Sequence, residues 1–297
     1  MTTLGKPKYH RQRFLLVLLE LAGGLLSKID LQKLLFLWQQ ETHSLNYDFV
    51  PYHYGCYSFQ AHSDAVLLES RGWLKTEGKD IRLVKNPSGM TIDEGDLVEG
   101  FVKKYKDYRG TKLIRHVYGQ YPYYAINSRV AEEILDASSY EKVLQAKNNL
   151  WVETEELFTI GYEGLSFEKY ANQLIRRNVR LLCDVRRNPL SMKFGFSKGN
   201  LSAQLPKLGI KYLHIPELGI QSEYRKNLET ESDYKELFET YKKSLLQKKE
   251  SLETLGRVLD RHKRVALTCF EKRPESCHRN CISEYMEGAR DIKAVHL

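Results

Sequence analysis

The sequence has 297 residues, of which 42% are hydrophobic and 28% are charged, and its formal net charge is +8. This length is enough for two domains, and the composition excludes fibrous and intrinsically disordered proteins. A moderate positive charge fits an anionic partner such as nucleic acid, although it also favours solubility.

The longest nearly apolar run, residues 14–26, is too short to span a bilayer and contains Glu20. It follows Arg11 and Arg13 as in a signal peptide, but no cleavage site of small residues comes after it. The number of cysteines is five, and an odd number does not suggest a disulfide framework. We therefore expect a cytoplasmic protein without a membrane partner, and the sequence leaves its oligomeric state open.

The N-terminal part has the pattern of helices followed by a β-hairpin, which is the outline of a winged helix. Apolar spacing and turn residues predict helices at 11–26, 29–42 and 58–71 and strands at 73–76 and 80–84. The hairpin, or wing, would carry four basic side chains able to contact nucleic acid, namely Lys75, Lys79, Arg82 and Lys85.

The helical pattern resumes from residue 92 to residue 145, and residues 146–150 are a polar segment that could serve as a linker. Beyond it, apolar runs of strand length alternate with amphipathic segments. The runs cover residues 157–161, 181–185, 211–215, 264–269 and 292–296. This alternation predicts an α/β domain with a mainly parallel five-stranded sheet and helices on both faces. The predicted domains are residues 1–150, mostly helical, and residues 151–297.

Polar and charged side chains follow four of the predicted strands. Ligands bind beyond the carboxyl ends of parallel strands, so these side chains define a candidate site. They are Tyr162 after the first strand, Asp184, Arg186 and Arg187 after the second, Glu217 after the third and Glu271 after the fourth. Lys193 lies among aromatic residues in the loop 191–198, a composition that suits stacking on a base beside a phosphate or an ordinary surface loop.

The segment from Cys269 to Cys281 carries the densest set of reactive residues. Pro274 suits the first turn of a helix, so Cys277 and His278 would lie near a helix N-terminus, which attracts anions. Arg279 would add a donor for phosphate. The same field would lower the pKa of Cys277, although buried cysteines often act only as small hydrophobes.

A zinc site is the alternative to an anion site in this segment, since Cys269, Cys277, His278 and Cys281 are all possible zinc ligands. On a helix, Cys277 and Cys281 would share one face and His278 would be turned about 100° away. We therefore expect neither a metal nor a cofactor. The catalytic candidates are Asp184, Glu271, Cys277 and His278, although Asp184 could instead form an ion pair with a neighbouring arginine.

The C-terminal half resembles the family catalogued as domain of unknown function 488. The similar stretches include Thr159-Ile160-Gly161-Tyr162-Glu163, Cys183-Asp184-Val185-Arg186-Arg187-Asn188-Pro189, Pro216-Glu217-Leu218-Gly219, and Cys269-Phe270-Glu271 with Cys277-His278-Arg279. The resemblance implies an α/β fold and a site at these motifs, in a group suspected of nucleic-acid transactions.

The N-terminal half is similar to the winged-helix-like modules of bacterial Panacea or SocA-type antitoxin proteins. The similar stretches are Leu31-Gln32-Lys33-Leu34-Leu35-Phe36 and Tyr54-Gly55-Cys56-Tyr57-Ser58, with Cys56 at a position where the family pattern usually has proline.

The function expected from the sequence is therefore that of a nucleic-acid-directed protein, with DNA as the favoured partner. A DNA-recognising module would be joined to a domain that binds or processes a nucleotide, as a metal-independent hydrolase or a base glycosylase. Two alternatives remain open at this point: a non-enzymatic DNA-binding sensor, and an enzyme that acts on a small phosphorylated metabolite.

Overall fold

The computed structural model describes residues 7–87, 90, 92–221, 224 and 230–297. The chain divides into two compact units, Met1–Asn149 and Leu150–Leu297. None of the helices in the described part of the chain has the length and apolar character that crossing a bilayer requires.

The first unit has the element order of a winged helix. Its elements are α1 (His10–Leu21), β1 (Leu25–Ser27), α2 (Lys28–Thr42), β2 (Val50–Tyr52), β3 (Gly55–Tyr57), α3 (Phe59–Ser70), β4 (Leu74–Glu77) and β5 (Asp80–Leu83). The strands β1, β5 and β4 form an antiparallel sheet in that order, and β4 and β5 are the wing. The side chains of Ser27 and Ser58 accept hydrogen bonds from backbone N–H groups in the first turns of α2 and α3, which places the starts of these helices.

The prediction of a continuous helix over residues 11–26 was wrong. Gly23 and Gly24 adopt φ values of +97° and +74°, which are left-handed conformations that glycine reaches without steric cost. They end α1 at Leu21 and turn the chain, so that Leu25–Ser27 pairs with β5.

Further helices complete the first unit: α4 (Gly95–Lys104), α5 (Gly110–Gln120), α6 (Ala131–Ile134) and α7 (Ala137–Asn148). The helix α7 continues to Asn148, through most of the segment predicted as a linker. Its N-terminus is capped by Asp136, whose carboxylate accepts a hydrogen bond from the Ser139 N–H at 2.9 Å.

The second unit contains a parallel sheet whose described strands follow the order β10-β6-β9-β7-β8. The strands are β6 (Glu156–Gly161), β7 (Leu181–Asp184), β8 (Lys211–His214), β9 (Arg264–Cys269) and β10 (Ala294–His296). The five predicted strands are therefore confirmed to within about two residues at each end. Its helices are α8 (Phe167–Arg176), α9 (Lys198–Gln204), α10 (Glu231–Leu245), α11 (Lys249–His262) and α12 (His278–Ala289).

The sheet has helices on both faces, as its alternating side chains show. Leu267 packs in one apolar cluster with Leu255 of α11 and Ile282 of α12. The neighbouring Thr268 points the other way and accepts a hydrogen bond from the Tyr170 hydroxyl of α8 at 2.8 Å. Successive residues of a strand face opposite sides, so both faces of β9 are buried.

A buried ion pair holds the loop that leaves β7. The Asp184 carboxylate, fully buried, accepts hydrogen bonds from the Arg186 Nε at 2.8 Å and from its terminal nitrogen at 2.6 Å. The second guanidinium nitrogen of Arg186 donates to the Tyr162 hydroxyl and to the Phe196 carbonyl, both at 2.9 Å. The pair therefore connects the ends of β6 and β7 to the following loop.

The end of β6 is also where a second loop approaches the sheet most closely. A Cβ atom built on Gly161 would lie 1.8 Å from the Glu271 carbonyl oxygen and 2.6 Å from the Glu271 carbonyl carbon. Real atoms do not approach so closely, and the obstacle is backbone rather than a flexible side chain. Only glycine at position 161 lets the turn after β9 lie against β6.

We therefore predict that Gly161→Ala lowers the free energy of unfolding by about 1–3 kcal/mol, the range for overpacked cores. Urea denaturation of the full chain measures this change. The matched control is Gly199→Ala in α9, where an added Cβ meets open space and should be neutral or stabilising by up to about 1 kcal/mol. Equal stability of the two variants would contradict the close approach.

Candidate functional site

The predicted site residues lie at one edge of the sheet because the four strands that carry them are parallel neighbours. Gly161 at the end of β6 pairs with Cys269 at the end of β9. Asp184 at the end of β7 pairs with Thr268 of β9 and with His214 of β8. The loops that follow these strands therefore leave the sheet side by side, and they form the candidate site.

The Asp184 carboxylate is fully buried and does not face a ligand, whereas Arg186 reaches the pocket wall with most of its donors bound inside the protein, which corrects the roles expected for both. Besides the two bonds from the Arg186 side chain, the Asp184 carboxylate accepts the Arg186 backbone N–H at 3.1 Å and the Tyr212 hydroxyl at 2.7 Å. Both oxygens are thus engaged inside the protein, and the guanidinium is engaged on both sides. The ion-pair alternative describes Asp184 better than the role of general base.

Arg279 is likewise an internal support instead of a phosphate ligand. Its side chain is fully buried and donates to the carbonyl oxygens of Glu271 and Lys272, the latter at 2.9 Å, and to the Thr159 hydroxyl at 3.4 Å. These bonds hold the turn after β9 against β6. A guanidinium with these internal partners is not available to an external anion, so the expected phosphate contact of Arg279 was wrong.

Three reactive side chains converge behind this turn. The ligand atoms of Cys269, Cys277 and His278 all lie within 4.8 Å of one another, and all three residues are buried. The His278 Nδ1 atom is 3.7 Å from the Cys269 sulfur and 3.9 Å from the Cys277 sulfur. The Nε2 atom of His278 lies 3.0 Å from the Val185 carbonyl oxygen, which can only accept, so Nε2 carries a proton.

Cys277 and His278 are not arranged as two consecutive residues of a helix, which was the basis for expecting no metal. A short 3-10 turn, Pro274–Ser276, precedes α12, and Cys277 is the N-cap residue with extended backbone angles, φ −141° and ψ 136°. Its side chain therefore does not follow the helical rotation that was assumed for it. Cys281 lies in the helix proper, packs in the apolar cluster of the sheet, and is not one of the converging residues.

The thiol with the lowered pKa is Cys269, whereas the sequence pointed to Cys277. The neighbouring Cys277, followed by His278 and Glu271, lowers the pKa of Cys269 well below its ordinary value, although burial opposes the shift. Burial, followed by the hydrogen bond to Cys269, raises the pKa of Cys277 well above it.

Glu271 is the half-buried carboxylate of the site. Its Oε2 atom lies 3.1 Å from the Cys269 sulfur. Burial, followed by the nearby Cys269 charge, raises the pKa of Glu271 above its ordinary value. A carboxyl group with a raised pKa at the wall of a cleft is suited to proton transfer near neutral pH.

A pocket of about 360 Å³ opens in front of these groups. Its lining combines aromatic, polar and charged side chains: Tyr162, Arg186, Arg187, Asn188, Leu190, Ser191, Ile220, Cys269, Phe270 and Glu271. Tyr162 stacks on Phe196 with ring centroids 4.3 Å apart and an interplanar angle of 11°. Phe270, 44% exposed, stands edge-on to Tyr162 at 5.3 Å. The pocket therefore has an aromatic wall that solvent reaches.

A second pocket of about 460 Å³ adjoins the first and shares Arg187 and Ile220 with it. Its lining also includes Glu217, Ser244 and Lys248. Lys248 lies 4.8 Å above the Tyr241 ring. Burial, followed by the charge of Arg187, lowers the pKa of Lys248, and Glu217 opposes this shift. Two cations and one carboxylate therefore line this pocket.

Sequence reasoning placed Arg187 and Glu217 in the site and missed Lys248. The lysine lies just before α11, at the junction with α10, and belongs to no motif that marks phosphate binding. The role of Phe270 was also missed, although its neighbours Cys269 and Glu271 had been singled out. Lys193 proves to be a loop support, because its amino group donates to the Tyr162 carbonyl at 3.0 Å.

The four basic residues of the wing are a separate set in the first unit. Lys75 and Arg82 are cross-strand partners and both approach Glu77, at 3.0 Å and 3.3 Å. Lys79 is exposed at the turn, and the Lys85 amino group is 5.8 Å from the Trp73 ring centre. The wing keeps a positive surplus after Glu77 and Asp80 are counted. The exposed positions of α3, by contrast, are His62, Val66, Leu67 and Ser70, none of which is a lysine or an arginine.

Comparison with known proteins finds one family to which the region of the site is similar. No curated protein and no solved structure matched the chain. Residues 166–286 match the family described as "Domain of unknown function DUF488". The matched range runs from the N-cap of α8 into α12 and includes β7, β8 and β9 with the loops that form both pockets. This part of the C-terminal half is therefore similar to the DUF488 family.

Proposed function

We propose that the C-terminal unit binds the phosphate of a nucleotide, within a nucleic acid, at the edge where Arg187 and Lys248 meet. The observation that carries this proposal is that these two cations line one pocket. Among the described residues that line it, Glu217 is the only acidic one. An anion placed between two like charges removes the repulsion and gains two charge-assisted hydrogen bonds.

The lining of the adjoining pocket favours a nucleotide over a bare anion as the ligand. The exposed ring of Phe270 offers aromatic surface on which a base stacks, and such stacking contributes about 1–3 kcal/mol per base. Asn188, exposed in the same lining, has both a donor and an acceptor for the polar edge of a base. Arg187 borders both pockets, which suits a phosphate attached to a base.

The basic residues of the first unit favour a nucleic acid over a free nucleotide as the ligand of this protein. Its wing carries exposed Lys79 and Arg82, and the whole chain has a net charge of +8. Phosphate contacts provide most of the affinity in nonspecific nucleic-acid binding. Since the exposed positions of α3 have no lysine or arginine, we assign the phosphate contacts of this unit to the wing.

Glu271 is the residue we propose for chemistry, in place of Asp184. It lines the pocket, it is half-buried, and its raised pKa suits a proton donor or acceptor in hydrolysis of the bound nucleotide. The alternatives are a sensor that binds the same ligand without turning it over, and an enzyme for a small phosphorylated metabolite. The sensor has no need of a reactive carboxyl group, and the metabolite enzyme has no need of a basic wing.

Binding should depend on salt through the two cations of the pocket. We expect Arg187→Gln with Lys248→Gln to weaken binding of single-stranded DNA at least roughly tenfold, as for lost hydrogen bonds to charged groups. The slope of log affinity against log salt concentration should become shallower by about 1.4, which is about 0.7 for each lost phosphate contact. Fluorescence anisotropy at several salt concentrations measures both quantities.

The control for this pair is Lys211→Gln, an exposed lysine at the start of β8, away from the carboxyl edge. It removes a positive charge without touching either pocket, so affinity and slope should stay near those of wild type. Identical slopes for wild type and the double variant would refute the phosphate site. So would failure of wild type to bind single-stranded DNA, double-stranded DNA and RNA alike.

Turnover separates the enzyme from the sensor. We expect Glu271→Gln to bind single-stranded DNA as tightly as wild type or more tightly, because the substitution removes a negative charge beside the phosphate. Hydrolysis should fall by about 10²–10⁴-fold, the usual contribution of a general acid or base. Chromatography of the reaction products measures the rate. A wild-type protein that binds but releases no product would favour the sensor.

A further inference from the structure

The arrangement of Cys269, Cys277 and His278 has the dimensions of a metal site. In tetrahedral zinc sites the Zn–S distance is about 2.3 Å and the Zn–N distance about 2.0–2.1 Å, which places sulfur and nitrogen about 3.6 Å apart. The distances from the His278 Nδ1 atom to the two sulfurs are 3.7 Å and 3.9 Å. A small contraction of these three side chains would therefore complete the coordination of one ion.

The protonation of His278 supports the same conclusion. Its Nε2 atom donates to the Val185 carbonyl at 3.0 Å, so in the neutral ring the lone pair is on Nδ1, the atom that faces both sulfurs. Histidines that ligate metals usually donate their other ring N–H group to a carbonyl or a carboxylate, which fixes the ring and its tautomer. His278 already has this outer partner.

The cluster supplies three ligands, and Glu271 lies beside them. The Glu271 Oε2 atom is 3.1 Å from the Cys269 sulfur, but Glu271 is not one of the three converging residues. Glu271 and Cys269 also line the pocket, so the fourth position lies on the pocket side of the cluster. Catalytic zinc sites have this form, with three protein ligands and one position that water or substrate can take.

The charge around the cluster is compatible with bound thiolates. The buried Arg279 guanidinium donates to the Glu271 and Lys272 carbonyls, one residue along the chain from His278. Two thiolates and a divalent cation form a neutral group, whose burial costs far less than that of isolated ions. Two sulfur ligands and one imidazole favour zinc over magnesium or calcium, which prefer oxygen ligands.

We propose that Cys269, Cys277 and His278 bind one Zn²⁺ ion, whose fourth position is open to water or substrate beside Glu271, on the wall of the nucleotide pocket. The metal site goes beyond the proposed function, and its existence does not depend on nucleotide binding. Only its position beside the substrate links the two. A bound ion there would polarise a water molecule or a substrate oxygen next to Glu271.

The test is metal binding by the full chain after removal and return of the metal. The purified protein is stripped with a chelator, dialysed with Zn²⁺ under reducing conditions, and analysed by elemental mass spectrometry. We expect about one zinc per chain. With Co²⁺ as the probe, we expect the charge-transfer absorption of cobalt–thiolate bonds and the intense visible bands of a tetrahedral ion.

The variants are Cys277→Ser and the matched control Cys281→Ser, which removes a buried thiol of α12 outside the cluster. Loss of an outer-shell partner already weakens metal sites about 10–100-fold, so loss of the Cys277 ligand should weaken zinc binding by more. Cys281→Ser should keep wild-type affinity. Circular dichroism melts verify that each variant is folded, and the cobalt spectrum of wild type tests the site without any substitution.

The proposal is overturned if stripped wild type takes up no stoichiometric Zn²⁺ and shows no cobalt–thiolate absorption. It is also overturned if Cys281→Ser loses as much affinity as Cys277→Ser, or if Cys269 and Cys277 form a disulfide that excludes the metal under reducing conditions. Single-stranded DNA binding by the metal-free protein would leave the proposed function standing. Stoichiometric zinc without nucleic-acid binding would refute the proposed function alone.

Discussion

The close approach of the turn after β9 to the end of β6 is the contact on which the candidate site depends. The Glu271 carbonyl occupies the space that a side chain at position 161 would need, so this position requires glycine. The Arg279 guanidinium donates hydrogen bonds to that carbonyl and to the Lys272 carbonyl. With the turn in this position, Cys269 meets Cys277 and His278, and Glu271 reaches the wall of the pocket. A site of several reactive groups thus follows from one glycine and one buried guanidinium.

The three arginines of the motifs divide into two kinds by burial. Arg186 and Arg279 are buried and donate hydrogen bonds within the protein. Arg186 binds the Asp184 carboxylate, and Arg279 binds backbone carbonyls. Breaking such buried pairs is costly because it leaves an uncompensated charge in the interior. Arg187 is exposed, and among the described residues no carboxylate pairs with it. The buried Arg186 and Arg279 therefore hold the loops of the site in place, and Arg187 remains exposed beside them.

The strands of the second unit could be predicted closely because each is an apolar run bounded by polar residues, and the position of the site followed from their parallel order. The roles within the site could not. Whether an arginine binds phosphate or a loop depends on burial, which arises from tertiary packing. The position of Lys248 depends on how α10 and α11 meet, and no local pattern records it.

Local backbone geometry accounts for the other differences. Gly23 and Gly24 look like tolerable interruptions of an apolar helix, yet in left-handed conformations they end it and supply the strand that completes the wing sheet. Cys277 reads as a helical residue after Pro274, yet as an N-cap it faces Cys269 and His278. Because α12 begins at His278 and not near Pro274, three side chains converge that a helix from Pro274 would have turned apart.

The central claim is that the carboxyl edge of the parallel sheet is where this protein meets its ligand. Amide hydrogen exchange of the full chain, with and without saturating single-stranded DNA, tests it most directly. The claim predicts slower exchange in residues 186–193, 244–249 and 269–272, with no change at the opposite edge in residues 176–181. Protection confined to the opposite edge, or no change within residues 150–297, would contradict it.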